Sequence, residues 1–328
     1  MRYVLIDYMH LAHRCIVAEP LSVTVPMNGG VEVIETTIPN YTIKNIFTYS
    51  GRGLFHTGVF FEGGSDYRKN HFAKDGSGDG SGYKGDRGQG KNSFYQGINL
   101  AIQLMAQGKV SQFRVSGYEA DDIIYNMVQR IKEEDKTTPI DIITNDSDLL
   151  PLVDEQVSVY IRGTREYNED GCPTRRLYYQ VTPRSWDEYL SYTSAYKNYT
   201  IPYNSMLLFK LIRGDKSDNV AGACKGYGGK KYSTLMEKMV SDGVDFPNIF
   251  RYGNNFDDVM RPVLSNYFTE EEVDKMKFIY DGIGLRKLPE GQRLTLPKQI
   301  DKGFLQQSLD FVKINLRKKK LGGVVCSM

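Results

Sequence analysis

Cysteine is scarce and scattered. The four present (Cys15, Cys172, Cys224, Cys326) form no CxxC pair. That spacing points away from a structural zinc site and from a disulfide framework. No apolar run approaches the length needed to cross a bilayer, and Tyr3-Val4-Leu5-Ile6 starts a strand with no leader-like segment before it. The expectation is a soluble chain in a reducing, cytoplasmic setting, with no membrane partner. Charge of one sign is also lacking. The net charge is only +2, so bulk charge does not announce a nucleic-acid binder and any basic surface must be local. Tryptophan occurs once against 23 tyrosines, a balance that fits stacking surfaces and ordinary half-buried packing equally. At 328 residues and 40% hydrophobic, the chain can bury one large core or two.

What the chain does have is carboxylates at the ends of strands. The run 3–6 is short and β-branched, as a buried strand should be, and Asp7 follows it before a helix predicted over 8–17. Residues 19–39 read as a loop or hairpin and 40–53 as a helix. His56 to Gly64 reads as a strand that also ends in an acid, Glu62. A helix over 93–107 precedes a strand at 113–115. Then comes Gly117-Tyr118-Glu119-Ala120-Asp121-Asp122, the acidic start of a helix whose Ile123, Ile124, Met127, Val128 and Ile131 recur at helical spacing. One acid caps a helix N-terminus well, and three within four residues exceed that need. The strand 140–144 runs into Asn145-Asp146-Ser147-Asp148, and 157–162 continues the pattern. Alternating strands and helices predict an α/β fold: a central, mostly parallel sheet flanked by helices.

Ligands of such sheets bind outside the carboxyl ends of the strands. Asp7, Glu62, Glu119, Asp121, Asp122, Asp146 and Asp148 should therefore converge. Seven carboxylates in one region need cations. An all-oxygen set suits Mg²⁺, with Mn²⁺ able to substitute. Two such ions are the machinery for in-line attack of water on a phosphodiester.

Two basic stretches accompany the acids. Residues 65–91 are polar and glycine-rich, with Arg68, Lys69, Lys74, Lys84, Arg87 and Lys91 interleaved with Tyr67 and Tyr83. This is either a plain surface loop or a strap whose cations meet phosphates and whose aromatics stack on bases. Later, Leu211-Ile212-Arg213-Gly214-Asp215-Lys216-Ser217-Asp218-Asn219-Val220 leads into Lys225-Gly226-Tyr227-Gly228-Gly229-Lys230-Lys231 and a helix. A glycine-rich turn beside lysines makes a sequence-independent phosphate grip.

The order Asp7, Glu62, GYEADD, TNDSDLL, GDKSDNVAGACKGYGGKK resembles the flap endonuclease / 5′–3′ exonuclease family, most of all its small phage members of the phage RNase H type. The resemblance runs from Asp7 to about Lys231. It implies a PIN-like core over 1–200 with an arch at 65–91. It also implies a helical region over 201–328 containing a helix–three-turn–helix motif (214–240). It implies a structure-specific 5′ nuclease that removes RNA primers and 5′ flaps in DNA replication. Asp7, Glu62, Glu119 and Asp121, with Asp122 adjacent, resemble one metal cluster. Asp146, Asp148, Asp215 and Asp218 resemble the second. Lys84, Arg68 and Arg87 resemble the catalytic basic residues of the arch, with Tyr83 stacking on a base. Lys216, Lys225, Gly226, Gly228, Lys230 and Lys231 fall in the duplex-holding motif, where a K⁺ is often bound. The implied partners are DNA and RNA–DNA duplexes with 5′ ends or flaps, together with a replication clamp or single-strand-binding protein; the chain itself would act as a monomer.

The chain departs from the family pattern in places. Glu62 stands where the family usually has Asp, and Gly222-Ala223-Cys224-Lys225 replaces a more apolar turn. The glycine-rich arch predicts ordering on substrate binding. Helices are expected over 257–267, 270–280 and 304–316, followed by the basic run Arg317-Lys318-Lys319-Lys320. Two other classes stay open at this level: a PIN-type ribonuclease, and a structure-specific DNA-binding protein with a decayed site.

Overall fold

In the computed structural model, the structure describes residues 1–14, 22–27, 30–35, 38–51, 54–73, 92–167, 173–301, 303 and 307. Tyr83, Lys84, Arg87, the predicted 304–316 helix and the basic run at 317–320 lie outside the described residues.

The organising strand is β1 (Tyr3–Asp7), buried along nearly its whole length. It pairs in parallel with β4 (His56–Phe60) on one side and β6 (Ile140–Ile143) on the other. The sheet continues outward through β5 (Ser111–Phe113) beyond β4 and β7 (Val157–Tyr167) beyond β6. It ends in β8 (Pro173–Val181), antiparallel to β7. The order β5-β4-β1-β6-β7-β8 means the chain first builds leftward from β1 and then returns to build rightward. The reversal falls between β1 and β6, and a crevice opens at their carboxyl ends. In open α/β sheets ligands bind there.

Helices cover both faces. α1 (Tyr8–Arg14), α2 (Ile38–Tyr49) and α4 (Asn92–Gln107) pack Leu11, Ile43, Ile46 and Met105 against Val4, Ile6 and Val59. α5 (Ala120–Glu134) lays Ile123, Ile124, Met127, Val128 and Ile131 on the other face, against Leu5, Phe60 and Ile142. The predicted hairpin at 19–39 is present as β2 (Ser22–Met27) and β3 (Gly30–Glu35).

The second core grows into the C-terminal half. α6 (Trp186–Tyr192) buries its single Trp, whose Nε1 donates to the Ile201 carbonyl at 2.9 Å. α7 (Met206–Arg213) is buried almost all round. It passes into a two-residue hairpin, β9 (Gly214–Asp215) with β10 (Val220–Ala221), and then into α8 (Gly229–Ser241). A helix, a tight hairpin and a second helix thus follow one another across residues 206–241. Short helices α9 (Phe246–Ile249) and α10 (Arg261–Leu264) and the longer α11 (Glu270–Ile283) follow, and an extended segment returns to the sheet, where Gln299 bridges to His56.

One element differs from expectation. Part of the 65–91 strap is regular helix, α3 (Asp66–Ala73), docked on α11. Tyr67 donates to the Asp281 carbonyl, His71 lies 2.8 Å from the Phe278 carbonyl, and the His71 and Phe278 rings stack 4.3 Å apart. Among the described residues, no helix is long and apolar enough to cross a membrane.

Candidate metal centre

The registers bring the acids together. Ile6 lies opposite Ile143, so Asp7 and Thr144 leave β1 and β6 side by side. Thr144 Oγ1 donates to Asp7 Oδ2 at 2.9 Å and accepts the Asp146 N–H at 2.9 Å. Asp146 in turn caps the 3₁₀ turn Ser147–Leu152, its carboxylate accepting the Asp148 N–H. The sequence reading passed over Thr144; its only signal was its place at the end of β6.

On the β4 side, a close backbone approach joins the two acidic loops. Gly63 N–H donates to the Tyr118 carbonyl and Gly117 N–H to the Gly63 carbonyl, at 2.8 and 3.0 Å. A Cβ on Gly63 would stand 1.7 Å from the Val115 carbonyl oxygen, so only glycine fits. Glu62 and Glu119 are thereby held next to each other. A second glycine, Gly214, has φ +80 and turns α7 into β9 just before Asp215.

The outcome is a single cavity of about 1140 Å³ lined by Asp7, Glu62, Glu119, Asp121, Asp146 and Asp215. Carboxylate oxygens of Asp121, Asp146 and Asp148 all lie within 4.8 Å of one another. An all-oxygen donor set of this kind suits a hard divalent cation.

Two of the predicted acids sit apart. Asp122 is fully buried and turned away from the cavity. Its carboxylate accepts the Glu119 N–H, the Arg286 N–H and guanidinium, and Arg68 Nη2. It therefore performs the capping role open to any acid at a helix start. Asp218 is buried but does not line the cavity.

Two cations sit among the acids. Arg68, on α3, is 1% exposed and not on the strap surface. Its Nη1 pairs with Glu119 and reaches Asp121 Oδ2 at 3.3 Å. Lys210, which the sequence reading missed, pairs with Asp148 and lies 2.7 Å from Asp215 Oδ2. Its only signal was a lysine in an otherwise apolar helix. Both cations occupy positions of positive charge demanded by the acids around them.

The electrostatics follow this layout. Burial, then the charge of Asp146, pushes Asp7 from 3.8 up to about 6, although Thr144 pulls the other way. Burial and Asp121 raise Asp122 against the opposing pull of Arg68. Burial would raise Asp215 too, but Lys210 and Ser217 outweigh it and hold it at about 2. Such opposed shifts within one cleft mark functional sites more often than structural ones.

Lys210, Arg213 and Lys216 line one side of the cavity, with Tyr196 and Tyr199 beside them. The glycine- and lysine-rich turn lies further along. Gly226 has φ +77, and Lys231 Nζ stands 3.8 Å over the Tyr227 ring. Lys225, Lys230 and Lys231 are exposed around the start of α8.

The chain belongs to the 5′–3′ exonuclease family: residues 2–177 match its N-terminal, resolvase-like domain. It is 26% identical to the 5′–3′ exonuclease of Mycoplasmopsis pulmonis over 48% of this chain and 45% of that protein. With the 5′–3′ exonuclease of Mycoplasma pneumoniae it is 28% identical over 59% of this chain and 58% of that one. It is 29% identical to DNA polymerase I of Deinococcus radiodurans over 48% of this chain and 14% of the polymerase. The match thus spans about half the length of the two exonucleases and a far smaller share of the polymerase. In fold the chain is similar to the flap endonuclease of bacteriophage T5, solved as a pseudo-enzyme–product complex with DNA and metal ions. That likeness has a TM-score of 0.53 at 15% identity and covers 97% of this chain and 100% of that one.

Proposed function

We propose that this chain is a divalent-metal-dependent 5′ nuclease, cutting phosphodiesters at 5′ ends and flaps of DNA and RNA–DNA duplexes as in primer removal. The observation that carries the proposal is the convergence of six acids from separate segments on one cavity at the strand-order reversal. Asp7, Glu62, Glu119 and Asp121 would hold one cation and Asp146, Asp148 and Asp215 a second, with Mg²⁺ the natural occupant. Bound there, the ions supply Lewis acidity toward the phosphate and lower the pKa of water.

The chain's own groups set the substrate. Lys216 and Arg213 attract the scissile phosphate toward the acids. Tyr196 and Tyr199, beside them, offer rings to the adjacent base. The N–H groups around Gly226 and Gly228, with Lys225, Lys230 and Lys231, hold the duplex backbone without reading sequence, and K⁺ would sit in that turn. Lys84, Arg87 and Tyr83 of the arch complete the grip on the 5′ strand. Division of labour falls near residue 200: the α/β part cuts and the helical part holds. The chain acts as a monomer, with a clamp or single-strand-binding protein as its replication partner.

The test is a labelled 5′-flap duplex incubated with Mg²⁺ and with EDTA. Cleavage is expected only with Mg²⁺. Asp146→Asn should lower the rate by orders of magnitude while flap binding stays measurable. Full activity in EDTA or in this variant refutes the assignment.

A further inference from the structure

α5 has a second face. While Ile123, Ile124, Met127, Val128 and Ile131 enter the core, Asn126, Gln129, Arg130 and Glu133 recur at helical spacing on the outside. This stripe forms one wall of a cleft of about 490 Å³, separate from the acid cavity. The opposite wall comes from residues 251–254 and 287–294 and carries Arg251, Lys287 and Arg293.

The charge in this cleft is one-sided. Four cations line it against one carboxylate, Glu133. Arg130 is taken up by Glu133 and Glu134. Arg251, Lys287 and Arg293 are exposed and form no ion pair among the described residues.

The walls are fixed. Asn126 donates to the Arg286 carbonyl at 2.7 Å and accepts the Leu288 N–H at 3.0 Å, and Tyr280 holds the Asn254 carbonyl at 2.9 Å. A rigid, cationic, concave surface needs little rearrangement to bind a polyanion.

We infer that this cleft is a second binding site, for the phosphates of a single nucleic-acid strand. It starts at Asn126, five residues from Asp121 of the acid cavity (about 8 Å along the helix), and ends near Glu133, about 18 Å from Asp121. A strand leaving the acid cavity at the start of α5 would then continue along this helix. A cleft of this size encloses a piece the size of one or two nucleotides. The choice of nucleic acid among phosphate compounds rests on the nuclease reading.

The experiment compares the full chain with an R251Q/K287Q/R293Q variant, whose changes are all at exposed positions. Binding of two fluorescent 5′-flap duplexes, one with a short single-stranded arm and one with a long arm, is measured by anisotropy in EDTA across a salt series. For the long arm, the variant should lose about 2 from the slope of log affinity against log salt, as three lost single-strand phosphate contacts require. Its affinity should fall about tenfold, with the short arm changed less than twofold and the melting temperature unaltered. Equal slopes for the two proteins on the long arm overturn the inference. So does a variant that has lost only the binding of inorganic pyrophosphate, which makes the cleft a small-phosphate site. Mg²⁺-dependent cleavage of the short-arm flap is read separately. If neither protein cuts but the slope difference persists, the nuclease reading fails and the cleft stands.

Discussion

Asp7 carries a cost that the metal-free protein cannot avoid. Its folded pKa of about 6 lies above the ordinary 3.8. Between those values the folded chain binds more protons than the unfolded one, so stability falls as pH rises through the window and levels off above it. The loss amounts to at most about 3 kcal/mol. Denaturation in EDTA at pH 4 to 8 should show this slope in the wild type and not in Asp7→Asn, which should be the more stable of the two near neutrality. Lys210 has the opposite role. Removing one partner of a buried ion pair costs about 3–5 kcal/mol, so Lys210→Met should melt well below wild type in EDTA. Because the uncompensated charges left behind, Asp148 and Asp215, are ones a divalent ion can neutralise, Mg²⁺ should restore more of the melting temperature in this variant than in wild type. Equal melting of the two proteins in EDTA would show that Lys210 is not needed for charge balance.

At the scale of elements, the junction of the β4 loop with the start of α5 decides the geometry. Gly63→Ala places a methyl group against the Val115 carbonyl. Overpacking of this kind costs about 1–3 kcal/mol, and it should separate Glu62 from Glu119, so calorimetry should show the destabilisation and Mg²⁺ affinity should fall with it. The junction also shows what could be read beforehand. β1, β4, β6, α5 and α8 announced themselves through apolar periodicity and end signals. α3 did not: it has almost no apolar stripe, and it is held by polar and aromatic contacts from Arg68, Tyr67 and His71 to partners at Glu119, Asp281 and Phe278. β8 and α6 also went unassigned, since Tyr-rich polar stretches carry neither period clearly. The acids themselves were legible, because position after a strand end is a local signal. That Asp122 would face away, and that Lys210 would stand among the acids, depends on packing between distant elements, and the one local mark was a lysine inside an apolar helix.

For the molecule as a whole, β1 is the axis. It is flanked on both sides and covered by helices on both faces. Amide exchange should therefore be slowest in β1 and β6, fastest at the β8 edge, and intermediate in α11. Uniform exchange across the sheet would contradict this picture of one central strand. The family match covers the sheet and its helices, and the turns and helix over 214–240 are packed onto the same core through α7 and α11.

The partner of Asp7 across the sheet, Thr144, lies 137 residues further along the chain, and Lys210 comes later still. At ribosomal speeds of about 5–20 residues per second, roughly 10–40 s separate the appearance of the first acid from that of the lysine. During synthesis β1 waits for β6 on one of its sides, and Asp148 has no lysine partner until Lys210 is made. The unfinished chain should therefore lean on chaperones or on cellular Mg²⁺ until its last third emerges.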